Sequence, residues 1–136
     1  MRRVLFVCVR NGGKSQMAAG LARRAFGEAG LETTVSSAGT AAGTTLNAQS
    51  VESLREVGVD VTGEVPRQLT QDDVRSADLV VVLGPQARVE PVGGTTVEVW
   101  ETDEPSERGI EGIERMRLVR DDIAAQVGGL VERLQR

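Results

Sequence analysis

The sequence predicts an α/β fold in which a four-stranded parallel sheet is covered by helices on both faces. Segments typical of strands alternate with segments typical of helices along the 136 residues. The apolar run Asp78–Leu83 shows no alternation with polar residues, as expected for a strand buried on both faces of a parallel sheet. No linker, repeat or low-complexity tract divides the chain. We therefore expect residues 1–136 to form one three-layer domain.

The first strand is predicted over Arg3–Cys8, and an alanine-rich helix is predicted over Ser15–Gly27. Met17, Leu21 and Ala25 recur at four-residue spacing, which places them on one face of that helix. A loop that contains two glycines joins the strand to the helix.

The second strand is predicted over Glu32–Ser37, which is rich in Thr and Val. A Gly/Thr/Ala loop over Ala38–Leu46 follows it. Asn47 is a typical N-cap residue for a helix that continues to Val57, and Gly58 ends this helix.

Thr70 is the predicted N-cap residue of a short helix over Gln71–Ser76. The first turn of this helix carries Asp72 and Asp73, which the helix dipole favours. The third strand is the apolar run described above, and the fourth is predicted over Thr95–Trp100.

A long amphipathic helix is predicted from about Ile110 to the C-terminus, weakened only slightly by Gly128 and Gly129. Its apolar residues recur every three or four positions, at Ile113, Met116, Val119, Ile123, Val127, Leu130 and Leu134.

The carboxyl ends of parallel strands meet at one edge of a sheet, and ligands bind beyond that edge. Cys8 ends the first strand. We expect it to lie near the loops after the third and fourth strands, which include Gly84-Pro85 and Glu101–Ser106.

Composition excludes several classes of function. A net charge of −4, with both signs mixed along the chain, argues against a general nucleic-acid binder. No apolar run approaches the roughly 20 residues of a membrane span, and we expect no signal peptide. One cysteine cannot form an internal disulfide, so we expect a cytoplasmic protein. The absence of histidine excludes a His-based metal site, and we expect no metal.

The segment from Cys8 to Ser15 reads Cys-Val-Arg-Asn-Gly-Gly-Lys-Ser and precedes a helix. A helix N-terminus after a glycine-containing loop presents N–H groups and a partial positive charge to an anion. Gly12 and Gly13 permit the positive φ angles that such a loop needs, and Asn11 tolerates them. The predicted oxyanion-binding residues are Val9, Arg10, Asn11, Gly12, Gly13 and Lys14.

Cys8 is the candidate nucleophile of this loop. The loop amides, the Lys14 cation and the Ser15 hydroxyl all favour the thiolate over the thiol, so no histidine is needed to activate the sulfur. An inert cysteine at the end of a core strand is the alternative. A nucleotide-binding loop is another, because Gly13-Lys14-Ser15 matches its end, but that motif requires glycine where Cys8 stands.

The acidic segment after the fourth strand supplies a candidate general acid. A carboxylate of Asp103 or Glu104 at the same edge of the sheet is placed to protonate a leaving oxygen. The alternative is a solvated acidic turn that precedes a helix.

The stretch Cys8–Ser15 resembles the Cys-x5-Arg-Ser loop of the low-molecular-weight tyrosine phosphatase superfamily, which includes arsenate reductases. The segments Ser37–Thr40, Ala77–Val80, Asp103–Pro105 and Arg117–Ile123 resemble further family motifs. The resemblance implies the low-molecular-weight phosphatase fold. More narrowly, Val7–Val9, Ser15–Ala18 and Glu114–Met116 resemble the actinobacterial arsenate–mycothiol transferases, also called mycothiol-dependent arsenate reductases.

Four departures from the superfamily pattern refine this expectation. Lys14 replaces the loop arginine and lacks its two-pronged grip, as in the mycothiol-dependent group. Residues 83–90 lack the cysteines that relay a disulfide in thioredoxin-coupled relatives, so an external thiol is required. The family's acid immediately precedes its proline, which favours Glu104 over Asp103. Ala19 replaces the glutamate that helps some relatives to bind potassium, so we expect no such ion.

The resemblance implies arsenate detoxification, with phosphate or sulfate as mimics of the substrate. Cys8 attacks arsenate, mycothiol as co-substrate takes over the adduct, and a mycoredoxin-type protein reduces the conjugate. No tightly bound cofactor is expected. The alternatives are a tyrosine phosphatase that uses the same nucleophile and a non-catalytic oxyanion-binding module.

Overall fold

The computed structural model describes residues 2–136, which form strands and helices in alternation. A short 3₁₀ helix, Pro105–Arg108, precedes the last α-helix. The main elements in chain order are β1 (Arg2–Cys8), α1 (Lys14–Glu28), β2 (Thr33–Gly39), α2 (Ala48–Arg55), α3 (Gln71–Ser76), β3 (Leu79–Leu83), β4 (Thr96–Trp100) and α4 (Gly112–Gln135).

The strands form one parallel sheet of four strands in the order β2-β1-β3-β4. Cys8, the last residue of β1, pairs with Gly39 of β2. Leu83 of β3 pairs with Trp100 of β4. The strands therefore end at a common edge, and the predicted α/β fold with a four-stranded parallel sheet is confirmed.

Side chains of β1 alternate between two apolar clusters, one on each face of the sheet. Phe6 belongs to the larger cluster, which includes residues of α1 and α4, such as Met17 and Ile123. Leu5 belongs to the smaller cluster, together with Val74 of α3. Helices therefore pack on both faces, as the sequence predicts.

All the aromatic side chains of the chain, Phe6, Phe26 and Trp100, are buried. The rings of Phe6 and Trp100 meet edge to face, with centroids 5.8 Å apart and an interplanar angle of 65°. The Trp100 indole N–H donates a hydrogen bond to Glu98. The aromatic side chains therefore pack in the interior of the fold, and none of them is exposed on the surface.

Strand β2 is longer than predicted, because it continues through Ala38 and Gly39. The predicted loop Ala38–Leu46 is therefore wrong at its first two residues. Gly39 pairs with Cys8 and also forms a parallel bridge with Gln68. A Cβ atom at Gly39 would lie 2.6 Å from the Val9 carbonyl oxygen, so this close approach requires glycine.

The predicted helix N-caps are confirmed. The Asn47 side chain accepts a hydrogen bond from the Ser50 N–H at 2.8 Å at the start of α2. Thr70 and Asp73 form a reciprocal capping box at the start of α3. The last α-helix begins at Gly112, two residues later than predicted.

Glu56, which follows α2, joins that helix to α4. Its carboxylate accepts hydrogen bonds from Arg117, the shortest of which is 2.6 Å, and from Arg120 at 2.9 Å. Arg120 also donates to the Ser53 carbonyl. The hydrogen bonds from Arg117, supported by Arg120, lower the pKa of Glu56 to about 2.

Helix α4 runs unbroken through Gly128 and Gly129 and buries its apolar face against α1 and α2. Within residues 2–136, every helix is too short or too polar to cross a membrane.

Candidate active site

Cys8 lies where β1 ends, and α1 begins at Lys14 after a short loop. The Cys8 side chain is buried but borders a cavity of about 220 Å³ that opens to the surface. The cavity is lined by residues of the loop and of the segment after β3, namely Cys8, Val9, Arg10, Gly13, Lys14, Leu83 and Gln86. The sulfur is therefore accessible from the edge of the sheet that the sequence predicts.

The Cys8 sulfur has two hydrogen-bonding neighbours. The Ser15 Oγ atom lies 2.9 Å from Sγ, and the Asn11 backbone N–H donates to Sγ at 3.3 Å. The Asn11 side-chain amide donates to Ser15 Oγ at 2.7 Å, which leaves the Ser15 proton free to point at the sulfur. Hydrogen bonds from these two donors stabilise a thiolate more than a thiol.

Asn11 adopts the left-handed conformation with φ of 56° and is fully buried. Gly12 and Gly13 do not have positive φ, so the prediction that they supply it is wrong. Gly12 is needed for another reason. A Cβ atom there would lie 2.9 Å from the Thr45 carbonyl oxygen, which is too close for any side chain.

Gln16, which sequence analysis assigned no role, holds Asn11 in place. Its side-chain amide donates to the Asn11 backbone carbonyl at 3.2 Å and to the Asn11 Oδ1 atom at 3.1 Å. Gln16 is only 2% exposed. The sequence offers one sign of this role: Gln16 is a long polar side chain in the alanine-rich start of a helix that packs against the core.

The β2–α2 segment holds the loop from the outside through its backbone. Four carbonyl groups of β1 and the loop accept hydrogen bonds from this segment, which leaves most N–H groups of the loop available to an anion. In the part of the chain that the structure describes, the N–H groups of Arg10, Gly12, Gly13 and Lys14 donate to no acceptor. The bonds are Thr40 N–H to Cys8 O, Ala41 N–H to Val9 O, Gly43 N–H to Arg10 O and Asn47 N–H to Gly12 O, all between 2.7 and 3.0 Å.

The structure brings Glu104, and not Asp103, to the loop. The Lys14 Nζ atom donates to the Glu104 carboxylate at 2.7 Å. Asp103 instead accepts two hydrogen bonds from Arg108, at 2.7 and 3.1 Å. These bonds lower the pKa of Asp103, which makes it a poor proton donor at neutral pH. Sequence alignment with the family motif favours the same residue, Glu104.

Arg10 lies at the rim of the loop, with its side chain exposed. Its guanidinium group packs over Gly43, where a Cβ atom would come within 3.2 Å of two guanidinium nitrogens. Within residues 2–136, Arg10 forms no ion pair and its side chain makes no hydrogen bond. Its positive charge is therefore available to a ligand at the rim.

These residues form a candidate oxyanion site above the Cys8 sulfur. Free backbone N–H groups, the first turn of α1 and the Lys14 cation surround the space over the sulfur. Val9 and Gly13 line this space, and Arg10 adds charge at its edge. The arrangement suits a tetrahedral oxyanion whose central atom is attacked by Cys8.

Comparison with known proteins agrees with this geometry. Residues 3–90 match the family described as low molecular weight phosphotyrosine protein phosphatase. A putative arsenate reductase from Halobacterium salinarum is 31% identical over 129 residues, which cover 93% of this chain and 89% of that protein.

Two solved structures extend the similarity to nearly the whole chain. A thioredoxin-dependent arsenate reductase from Corynebacterium glutamicum superposes with a TM-score of 0.80 and 28% identity, over 99% of this chain and 62% of the other. An arsenate reductase in its phosphate-binding state superposes with a TM-score of 0.78 and 27% identity, over 98% of each chain. With well over half of its residues matching the family, the chain belongs to the low molecular weight phosphotyrosine protein phosphatase family.

Proposed function

We propose that the protein is a thiol-dependent arsenate reductase that acts as an arsenate–mycothiol transferase in the cytoplasm. The observation that carries the proposal is the Cys8 sulfur, which accepts hydrogen bonds at the base of a loop with free N–H groups. The names of the similar proteins described above support arsenate as the oxyanion. Phosphate and sulfate are expected to bind as mimics.

In the first step, the Cys8 thiolate attacks arsenic and forms a sulfur–arsenic bond. One arsenic–oxygen bond breaks, and the hydroxyl group leaves as water after it receives a proton. Glu104 is the proposed proton donor, because its carboxylate already lies at the loop through Lys14. An entering oxyanion competes with Glu104 for Lys14, which frees the Glu104 carboxyl group to contact the leaving oxygen. Arsenic remains in the +5 state.

In the second step, an external thiolate attacks arsenic, and the bond between arsenic and Cys8 breaks. Cys8 returns to the thiolate form, and arsenic, still at +5, leaves on the external thiol. The need for an external thiol follows from the single cysteine among these 136 residues. Mycothiol is proposed from the resemblance of Val7–Val9 and Glu114–Met116 to the mycothiol-dependent group. A mycoredoxin-type protein then supplies the two electrons that release arsenite.

The test is arsenate turnover by purified protein with three reducing systems in parallel: mycothiol with mycoredoxin, glutathione with glutaredoxin, and thioredoxin with its reductase. Of the three systems, only mycothiol with mycoredoxin is expected to support turnover. Cys8→Ser is expected to abolish it, since a hydroxyl group in this site is a far weaker nucleophile. Turnover by Cys8→Ser, or turnover only with thioredoxin, would contradict the proposal.

A tyrosine phosphatase is the second candidate, because the family is named for that activity and the nucleophile would be the same. The geometry of the site favours phosphatase activity less than arsenate reduction. No aromatic side chain lines the cavity over Cys8 to hold a substrate ring, and the aromatic residues are all buried. Hydrolysis of p-nitrophenyl phosphate is expected to be slow. Fast hydrolysis without arsenate turnover would reverse the order of the two candidates.

A further inference from the structure

A second and larger cavity, of about 510 Å³, lies beside the oxyanion loop. Arg10, Gly13 and Lys14 border both this cavity and the one over Cys8. A ligand in the larger cavity can therefore extend one end over the loop toward the sulfur. The larger cavity is lined by Arg10, Gly12, Gly13, Lys14, Thr45, Leu46, Asn47, Ala48 and Met116.

The charged and amide groups of this lining are hydrogen-bond donors. Arg10 carries a guanidinium group without an acidic partner in residues 2–136. The Asn47 Oδ1 atom already accepts from Ser50, so its side-chain NH₂ group is the part left for a ligand. No Asp or Glu borders the cavity. The lining therefore suits a ligand that is rich in acceptor oxygens.

The remaining surface is apolar but carries no aromatic ring. Leu46, Ala48 and Met116 form this part beside Thr45, and the Ser50 hydroxyl donates to the Met116 sulfur at 3.8 Å. The volume lies within the range of roughly 300–1,000 Å³ that is typical of small-molecule sites. The cavity thus fits a small, mostly polar molecule better than the flat aryl group of a phosphotyrosine.

We propose that this cavity binds the body of the thiol that attacks the Cys8–arsenate adduct. The thiol is a low-molecular-weight compound whose body carries several hydroxyl or carbonyl oxygens, and its sulfur reaches arsenic across Gly13 and Lys14. The inference rests on the proposed function, because it assigns a place to that reaction's second substrate. It predicts selection of the thiol by its body, since a simple alkyl thiol forms no hydrogen bonds with Arg10 and Asn47 and leaves these side chains to water.

The test measures binding without chemistry. S-methyl mycothiol cannot attack arsenic, so its dissociation constant reports the cavity alone, and 2-(methylthio)ethanol serves as a thioether without an oxygen-rich body. Calorimetric titrations use the wild type, Arg10→Met, Ala48→Leu and Arg88→Met. Arg88 is the matched control, because it is exposed, forms no ion pair within residues 2–136 and lies outside the cavity lining.

S-methyl mycothiol is expected to bind the wild type and Arg88→Met equally. We expect binding at least tenfold weaker in Arg10→Met and Ala48→Leu, and none of 2-(methylthio)ethanol. In turnover, Ala48→Leu is expected to raise the KM for the thiol more than the KM for arsenate. Phosphate should protect Cys8 from alkylation in Ala48→Leu and Arg88→Met as well as in the wild type, which shows that the loop of these two variants is intact.

Two results would overturn the inference: no binding of S-methyl mycothiol by the wild type, or equal binding by all four proteins. The proposed function fails separately. Binding at the cavity without arsenate turnover would refute the reaction and support the site, whereas mycothiol-dependent turnover that is insensitive to Ala48→Leu would refute the site and support the reaction.

Discussion

At the scale of single residues, the chain has no histidine, and the polar groups around the Cys8 sulfur come from Ser15 and Asn11. Ser15 and the Asn11 backbone contact the sulfur directly, while Gln16 acts on it only through Asn11. The position of Cys8 at the end of β1 and the loop before α1 were predictable, because residue types and their order define them. The role of Gln16 was not predictable, because it depends on the left-handed conformation of Asn11. In this conformation the backbone carbonyl and Oδ1 of Asn11 both accept hydrogen bonds from the Gln16 amide group.

Replacement of Gln16 by methionine should slow the reaction of Cys8 with iodoacetamide below pH 7 by about fivefold, since the loss of the Asn11 N–H hydrogen bond to the sulfur costs roughly 1 kcal/mol. The variant keeps the length of the side chain but cannot donate to Asn11. The measurement is the alkylation rate as a function of pH. Gln71→Met, on the exposed start of α3, is the control and should react like the wild type. Identical pH profiles for wild type and Gln16→Met would show that Gln16 does not position Asn11.

Glu104 and Asp103 differ in their ion-pair partners: Glu104 pairs with Lys14 of the loop, and Asp103 pairs with Arg108. Glu104→Gln should reduce arsenate turnover by about 10²- to 10⁴-fold, the range for loss of a general acid. Asp103→Asn should have a much smaller effect, because its carboxylate is bound to Arg108. Initial rates at saturating thiol test the pair. A larger loss in Asp103→Asn would assign the proton to the other carboxyl group.

At the scale of elements, tertiary contacts decide where several of them begin and end. Strand β2 extends to Gly39 because the chain there pairs with Cys8 and Gln68, neither of which is close in sequence. The N-caps of α2 and α3 were predictable, since Asn47 and Thr70 act within three residues. The 3₁₀ helix after Glu104 was missed, because Pro105 fits a loop as well as a first helical turn.

The Glu56 contact makes the packing of α2 on α4 depend on pH. Because Arg117 and Arg120 lower the pKa of Glu56 from 4.5 to about 2, its contribution to stability is complete above pH 4.5 and is lost as the pH falls toward 2. Glu56→Gln should therefore have a lower Tm than the wild type at pH 7, and the difference should shrink below pH 4.5. Thermal unfolding followed by circular dichroism tests this.

Glu52→Gln is the matched control, because Glu52 lies in the last turn of α2, close to Glu56 in the sequence, but pairs only with the exposed Arg55. Its Tm should follow the wild type at every pH. A Tm difference for Glu56→Gln that stays constant from pH 7 to pH 3 would argue against linkage through this carboxylate.

At the scale of the whole molecule, the parallel sheet determines where chemistry is possible. Its common edge gathers the loops after β1, β3 and β4, and these supply Cys8, Gln86 and Glu104. This arrangement was predictable from the order of apolar runs alone. The larger cavity was not, because it depends on the approach of Met116 on α4 to the start of α2.

A substitution in the core should lower the stability of the fold without changing the reactivity of Cys8. Ile123 of α4 is fully buried, and Ile123→Ala should lower the free energy of unfolding by about 2–5 kcal/mol. Urea denaturation measures this change, with the half-exposed Leu118→Ala as the control that should change stability much less. The folded variant should keep the wild-type pH profile of Cys8 alkylation. A changed profile would show that the loop depends on the packing of α4.

The contact between Trp100 and Phe6 gives the protein an intrinsic optical reporter. Since this is the single indole of the chain and it is buried against Phe6, its fluorescence should be blue-shifted in the native state and should move to the red when the sheet unfolds. Trp100 is also the last residue of the strand before Glu104, so its emission intensity is expected to change, without an added dye, if ligand entry shifts the Glu104 segment.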